Sequence, residues 1–218
     1  MSFAKLEEIT CPCGEVFEAE LWNAINARED PELKEALTCC ELNVVCCPAC
    51  GEIFYAEHFI LYHDSASEII AFIYPSSFEP QADYWASKMK EDFAKALQDL
   101  TTDEKIDYQP MLLFGLESLA SILRSEEQDF DEISILEYIA KELGLSLIRI
   151  KPSIARRLQI PWLLPRVPIK GGELRDEILA GLDRVLKHNE HLTCYNRMRH
   201  LIEHNKKWTL DKNLIKQT

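Results

Sequence analysis

The sequence predicts an α+β protein: an N-terminal antiparallel β domain followed by a mainly helical domain. Three observations carry that expectation. The first 80 residues hold apolar positions at the period of two that strands require, most clearly Phe17, Ala19 and Leu21 set against Glu18 and Glu20. After residue 84 the apolar period lengthens to that of a helix, as in Ile133, Leu136, Tyr138, Ile139 and Leu143. Between them, residues 75–80 carry two prolines and two serines and read as a linker. The division is therefore placed at residues 1–80 and 81–218.

The elements follow in order. Residues 16–22 alternate as a half-buried strand. Asp30 is an N-cap with Pro31 in the first helical position, predicting a short helix through Leu37. Residues 42–46 and 53–63 read as strands, the second rich in aromatic and branched side chains. Asp64, Ser65, Ala66 and Ser67 make a turn, and residues 68–74 form a strand stopped by Pro75. In the second domain the spacing predicts helices over 84–100, 110–124 and 131–143, the last ended by Gly144. Residues 145–150 read as a short strand or extended link. Four prolines make 152–168 irregular. Gly172 then precedes a helix over 173–187, with Leu174, Ile178, Leu182, Val185 and Leu186 on one face, and a last helix covers 191–206.

Composition bounds the function. With 218 residues, 47% apolar and 28% charged, the chain suits two folded domains with ordinary cores. The opening residues lack the apolar run of a signal peptide, and no stretch approaches the ~20 apolar residues of a membrane span. A cytoplasmic location without membrane attachment is the expectation. Charge is uneven: residues 1–85 hold 16 acids and three bases (Lys5, Arg28, Lys34), whereas residues 146–218 hold 15 bases and seven acids. Phosphates would be repelled by the first segment, so nucleic-acid binding is expected only, if at all, through the basic sub-region 146–218. That sub-region, with Arg149, Lys151, Arg156, Arg157, Arg166 and Lys170, better suits an acidic protein partner or the chain's own acidic half.

Eight cysteines occur, at 11, 13, 39, 40, 46, 47, 50 and 194. In a reducing compartment their clustering favours a metal over disulfides. The segment Cys11-Pro12-Cys13-Gly14-Glu15-Val16-Phe17 repeats as Cys47-Pro48-Ala49-Cys50-Gly51-Glu52-Ile53-Phe54, one residue shorter in the first copy. Two short chelating loops joined by a long excursion supply the four soft donors that zinc takes tetrahedrally. Each loop ends in a glycine that can take positive φ and turn backbone amides toward the sulfurs. Cys11, Cys13, Cys47 and Cys50 are therefore the expected ligands of one structural Zn2+. Cys46 could replace Cys47 in principle, but the Cys-x-x-Cys spacing and the following Gly51 favour Cys47. Cys39, Cys40 and Cys46 read as small apolar residues or partly exposed thiols, and Cys194 as core.

These residues resemble the CpXC family of bacterial and archaeal proteins, named for paired Cys-Pro-x-Cys motifs. The resemblance runs from about Ile9 to Tyr74 and takes in Cys47-Pro48-Ala49-Cys50-Gly51, Asp30-Pro31-Glu32-Leu33 and Tyr62-His63-Asp64. It extends weakly to Phe114-Gly115-Leu116. The first loop departs from the pattern, being Cys-Pro-Cys. What the resemblance implies is a zinc-ribbon-like N-terminal domain, and no activity.

Other candidates are weaker. His200-Leu201-Ile202-Glu203-His204 matches the His-x-x-Glu-His pattern of inverted zinc proteases, whose helix places both histidines on one face. Here a third ligand would have to come from upstream, from His188, Glu190, His191 or Cys194. His58 and His63 lie in the aromatic strand, and Tyr62-His63-Asp64 could form a polar cluster, with a strand-end histidine bonded to its neighbours as the plainer reading. Lys170-Gly171-Gly172 before a helix could offer amides to an anion, or simply be a flexible start. Three functions are ranked from this. First comes a non-enzymatic zinc-binding interaction or adaptor protein with a protein partner. Second is a redox-switched protein, since Cys-x-Cys followed by Cys-x-x-Cys is similar to the zinc switch of redox-regulated heat-shock holdases. Third is a metal-dependent hydrolase using His200, Glu203 and His204.

Overall fold

The computed structural model describes residues 1–99, 106–211 and 215–216. It is an α+β protein with an N-terminal mixed sheet and C-terminal helices. Two compact units divide at Met1–Arg124 and Ser125–Thr218. The expected division at 80/81 lies well before that point, because the first sheet recruits a strand from residues 111–114.

In the first unit, β1 (Phe3–Thr10) and β2 (Val16–Asn26) form an antiparallel hairpin whose turn is the first cysteine loop. Helix α1 (Pro31–Thr38) starts with Pro31, as expected. A small ribbon follows, β3 (Val44–Cys46) and β4 (Ile53–Tyr55), closed by the second cysteine loop. Then come β5 (Ile60–Asp64), β6 (Ile69–Tyr74), a 3₁₀ turn (Ser76–Gln81), α2 (Ala82–Asp99), β7 (Met111–Phe114) and α3 (Leu116–Glu142). The sheet order is β1-β2-β5-β6-β7.

This sheet is mixed, which corrects the antiparallel expectation. Pairs β1–β2 and β5–β6 are antiparallel, whereas β2–β5 and β6–β7 are parallel. The reason is the connections: α1 and α2 lie between paired strands, and a helical crossover returns the chain in its original direction. Strand β6 is buried along its whole length. Its alternate residues enter two cores, Ile69, Ala71 and Ile73 on one face and Ile70, Phe72 and Tyr74 on the other. Leu37 of α1 and Leu119 and Leu123 of α3 cover the first face, and Trp85, Met89 and Phe93 of α2 the second.

Several further expectations shift. The 53–63 strand is two strands, broken at 56–59. Residues 110–124 do not form one helix. Met111–Phe114 is a strand, and Gly115, at φ +74, turns the chain into α3. The helices expected at 110–124 and 131–143 merge, since residues 116–142 contain neither glycine nor proline. The expected end of the helix at Leu100 lies outside the described residues.

The second unit contains β8 (Ser146–Ile150), α4 (Pro152–Leu158), β9 (Leu163–Arg166), α5 (Leu174–His188), α6 (Thr193–His204) and β10 (Ile215–Lys216), with strand order β10-β8-β9. The expected irregular stretch 152–168 thus holds a helix and a strand. Pro152 occupies the first turn of α4, and Pro165 sits on the sheet edge, where each proline is tolerated. Ile133, Leu136, Ile148, Leu163, Ile178, Leu182, Tyr195 and Ile202 anchor its core. Gly181 lets α5 lie directly on β9, because a Cβ there would stand 2.5 Å from the Pro165 carbonyl oxygen.

Candidate metal centre

The two cysteine loops have one backbone design. Cys11 N–H donates to Glu15 O at 2.8 Å and Gly14 N–H to Cys11 O at 2.8 Å. In the second loop Cys47 N–H donates to Glu52 O at 2.8 Å and Gly51 N–H to Cys47 O at 2.9 Å. Both glycines take positive φ, +95° at Gly14 and +73° at Gly51, as the repeat requires. Phe17 and Phe54, equivalent positions of the repeat, meet edge to face with ring centroids 6.4 Å apart. That contact places the hairpin of β1–β2 against the ribbon of β3–β4.

The sulfurs converge accordingly. Cys11 Sγ lies 3.7 Å from Cys50 Sγ, Cys13 Sγ lies 3.8 Å from Cys47 Sγ, and all four fall within 4.8 Å of one another. Four thiolates at ~2.3 Å from one tetrahedral ion stand about 3.8 Å apart, so the observed spacing fits a tetrahedral metal. Each loop contributes one buried and one exposed cysteine: Cys11 and Cys47 are 2% and 1% exposed, while Cys13 and Cys50 face solvent. Burial pushes the Cys11 thiol up to about 12. The amides of Cys50 and Ala49, working against burial, bring Cys47 down to about 7. A cation that replaced the protons would remove the cost of burying Cys11 as a thiolate.

Cys46 is not part of the tetrad. Its thiol points to the carbonyls of Cys47 and Gly51, at 3.9 and 3.7 Å. Cys39 and Cys40 are exposed after α1, and Cys40 donates to Glu117 at 3.0 Å, beside Arg124. Cys194 is buried in the second core.

The Tyr62-His63-Asp64 segment divides between the two faces of β5. Asp64 accepts from Lys34 Nζ at 2.7 Å and from the amides of Ala66 and Ser67 at 3.0 and 3.2 Å, with Tyr62 Oη 3.5 Å away. Burial opposes its ionisation, but Lys34 and these amides outweigh that and hold its carboxyl below the ordinary range. His63 instead bonds Tyr108 Oη at 2.8 Å, and His58 Nε2 lies 3.4 Å from Glu7. Sequence reasoning missed Asn43, which is buried and at φ +58°. Its side-chain amide accepts from Trp22 N–H at 2.8 Å and donates to Trp22 O at 3.1 Å, substituting for a strand beside β2. An asparagine between Leu42 and the apolar run Val44-Val45-Cys46 was the only signal.

The remaining candidates resolve differently. His200 and His204 stack on one another at 3.9 Å, His204 Nδ1 lies 2.9 Å from the His200 carbonyl, and Glu203 is held by Arg199. Among the described residues they do not join a group of three metal-ligating side chains, a condition that the cysteine tetrad alone meets. At Lys170-Gly171-Gly172, the Ile169 amide is taken by Glu177, which also binds Arg166 at 2.7 Å. Arg149 pairs with Glu137 and lies 5.4 Å over Trp162, and Arg156 pairs with Glu126. No described helix is long and apolar enough to cross a membrane.

The family described as CpXC protein matches residues 9–133, more than half of the sequence. The chain belongs to the CpXC family. The matched region takes in both cysteine loops, every later strand of the mixed sheet and the first turns of α3, so it runs past Tyr74 and past the weaker resemblance at Phe114-Gly115-Leu116. No curated protein and no solved structure matches the chain.

Proposed function

We propose that this CpXC protein is a non-enzymatic interaction module, its N-terminal unit held by one structural zinc on Cys11, Cys13, Cys47 and Cys50 in a zinc-ribbon-like arrangement. The observation that supports it is the tetrad itself, four sulfurs at tetrahedral spacing on two hairpin turns. Four thiolates leave zinc no open position for a substrate or water, so the ion stabilises the fold and activates nothing. The partner is a protein and the compartment a reducing one such as the cytoplasm, where thiolates persist. Elemental analysis of chain purified under reducing conditions tests the reading. About one zinc per chain is expected, falling toward none in Cys47→Ser. Metal-free, folded wild type refutes it.

A second reading is favoured by the exposure of Cys13 and Cys50: a redox switch in which peroxide oxidises the ligands. Each pair of ligand thiolates would give up two electrons to form one disulfide, and hydrogen peroxide would take those electrons with two protons from solvent and leave as two waters. Mild peroxide should then release zinc and produce anti-aggregation activity. Retained zinc rejects this reading and leaves the first standing.

A further inference from the structure

Among the described residues the mixed sheet ends at β1, which pairs with β2 on one side only. At eight residues β1 is long for an edge strand, and an uncovered edge offers a row of backbone donors and acceptors to another strand. The edge is already ordered. Asn26 N–H donates to Ser2 Oγ at 2.9 Å and Ser2 N–H to Asp30 at 3.1 Å, so the strand's start is tied down and little entropy remains to be lost on pairing. Near its centre Leu6 is 66% exposed, and Phe3 is 55% exposed.

The sequence of β1 is complementary to itself. In an antiparallel pairing of two copies with the two-fold axis through Leu6, Leu6 meets Leu6 of the second copy. Lys5 then faces Glu7 on both sides of the axis, and Phe3 faces Ile9. Lys5 and Glu7 already form an ion pair within the strand, so the two copies would close a ring of four alternating charges. Sliding the register by one residue sets Leu6 against a charged side chain instead, either Lys5 or Glu7, so the pattern selects one register. We propose that β1 is a homodimerisation edge, joining two mixed sheets into one continuous sheet about a two-fold axis at Leu6. Such an interface is isologous, and its occupant is a second copy of this chain. The proposal goes beyond the zinc reading and does not depend on it.

The test is sedimentation equilibrium of the full chain, as purified with its metal, across about 1–100 µM. Wild type should show a monomer–dimer equilibrium. Leu6→Lys, at a largely exposed position, should keep the circular dichroism of wild type and weaken the dimer by about tenfold or more. Lys5→Glu should also weaken it, and the exchanged pair Lys5→Glu with Glu7→Lys should restore it. A wild type that stays monomeric throughout overturns the proposal. So does a dimer unmoved by Leu6→Lys, which would place the contact on another surface.

Discussion

Met1–Arg124 lays helices on both faces of a five-stranded sheet and closes one end with two cysteine hairpins. In contrast, Ser125–Thr218 packs helices on a three-stranded sheet and, among its described residues, gathers no metal-ligating cluster. The first unit carries the whole of the chain's acidic excess, 23 acids against eight bases where the second has 14 against 16, and gathers four cysteines that would repel one another as thiolates without a cation. The second is held by a continuous apolar core around Leu136, Leu163 and Leu182. One unit is therefore expected to depend on a ligand and the other on packing and caps.

Metal removal should separate them most. The proposed structural zinc would supply more free energy than the net stability of most domains, so on that reading a strong chelator should unfold the first unit. The second should keep its own transition, followed by fluorescence of Trp162 and Trp208 in a chain whose Trp22 and Trp85 are replaced by Phe. Loss of both transitions together would break the comparison.

Gly181→Ala sharpens it from the other side. The added Cβ has no room against the Pro165 backbone, and overpacking of this kind costs about 3 kcal/mol, partly offset by better helix propensity. Urea unfolding of the second unit should shift to lower concentration, while metal content and the first transition remain as in wild type.

The smallest effect concerns Glu132. Its carboxylate accepts from the amides of Thr193 and Cys194, the latter at 2.8 Å, at the start of α6. Burial raises its pKa, but the hydrogen bonds from Cys194 and Thr193 prevail and the carboxyl lies below its ordinary 4.5. This contribution is complete above pH 4.5 and is lost as pH falls through the lowered value. Glu132→Gln should cost about 1 kcal/mol at neutral pH, as cap losses do. The gap from wild type should close in acid, which pH-dependent urea unfolding of the second unit would show.

Legibility in the sequence followed how local each feature is. The tetrad was readable because chelating loops are short and their glycines mark the turn, and the choice of Cys47 over Cys46 rested on the Cys-x-x-Cys spacing and Gly51. Helix α1 was readable from Pro31, whereas Asp30 stands before it without a side-chain cap bond and accepts from Ser2 N–H instead, and β6 was readable from an unbroken apolar run. Strand β1 was not, because Lys5-Leu6-Glu7-Glu8 has no strand signature of its own and is extended only by its pairing with β2. Met111–Phe114 is apolar at every position, a pattern that suits a buried helix as well as a strand, and only its place beside β6 decides between them.

By itself, then, the sequence determined the α+β class, the repeated cysteine loops and most of the helices, because turn chemistry and apolar period act over a few residues. Only the tertiary structure decided that the sheet is mixed, that Asn43 stands in for a strand, and that four sulfurs from loops 33 residues apart meet within 4.8 Å of one another. These outcomes depend on which distant segments pair, and pairing is chosen by burial and hydrogen-bond completion over the whole unit.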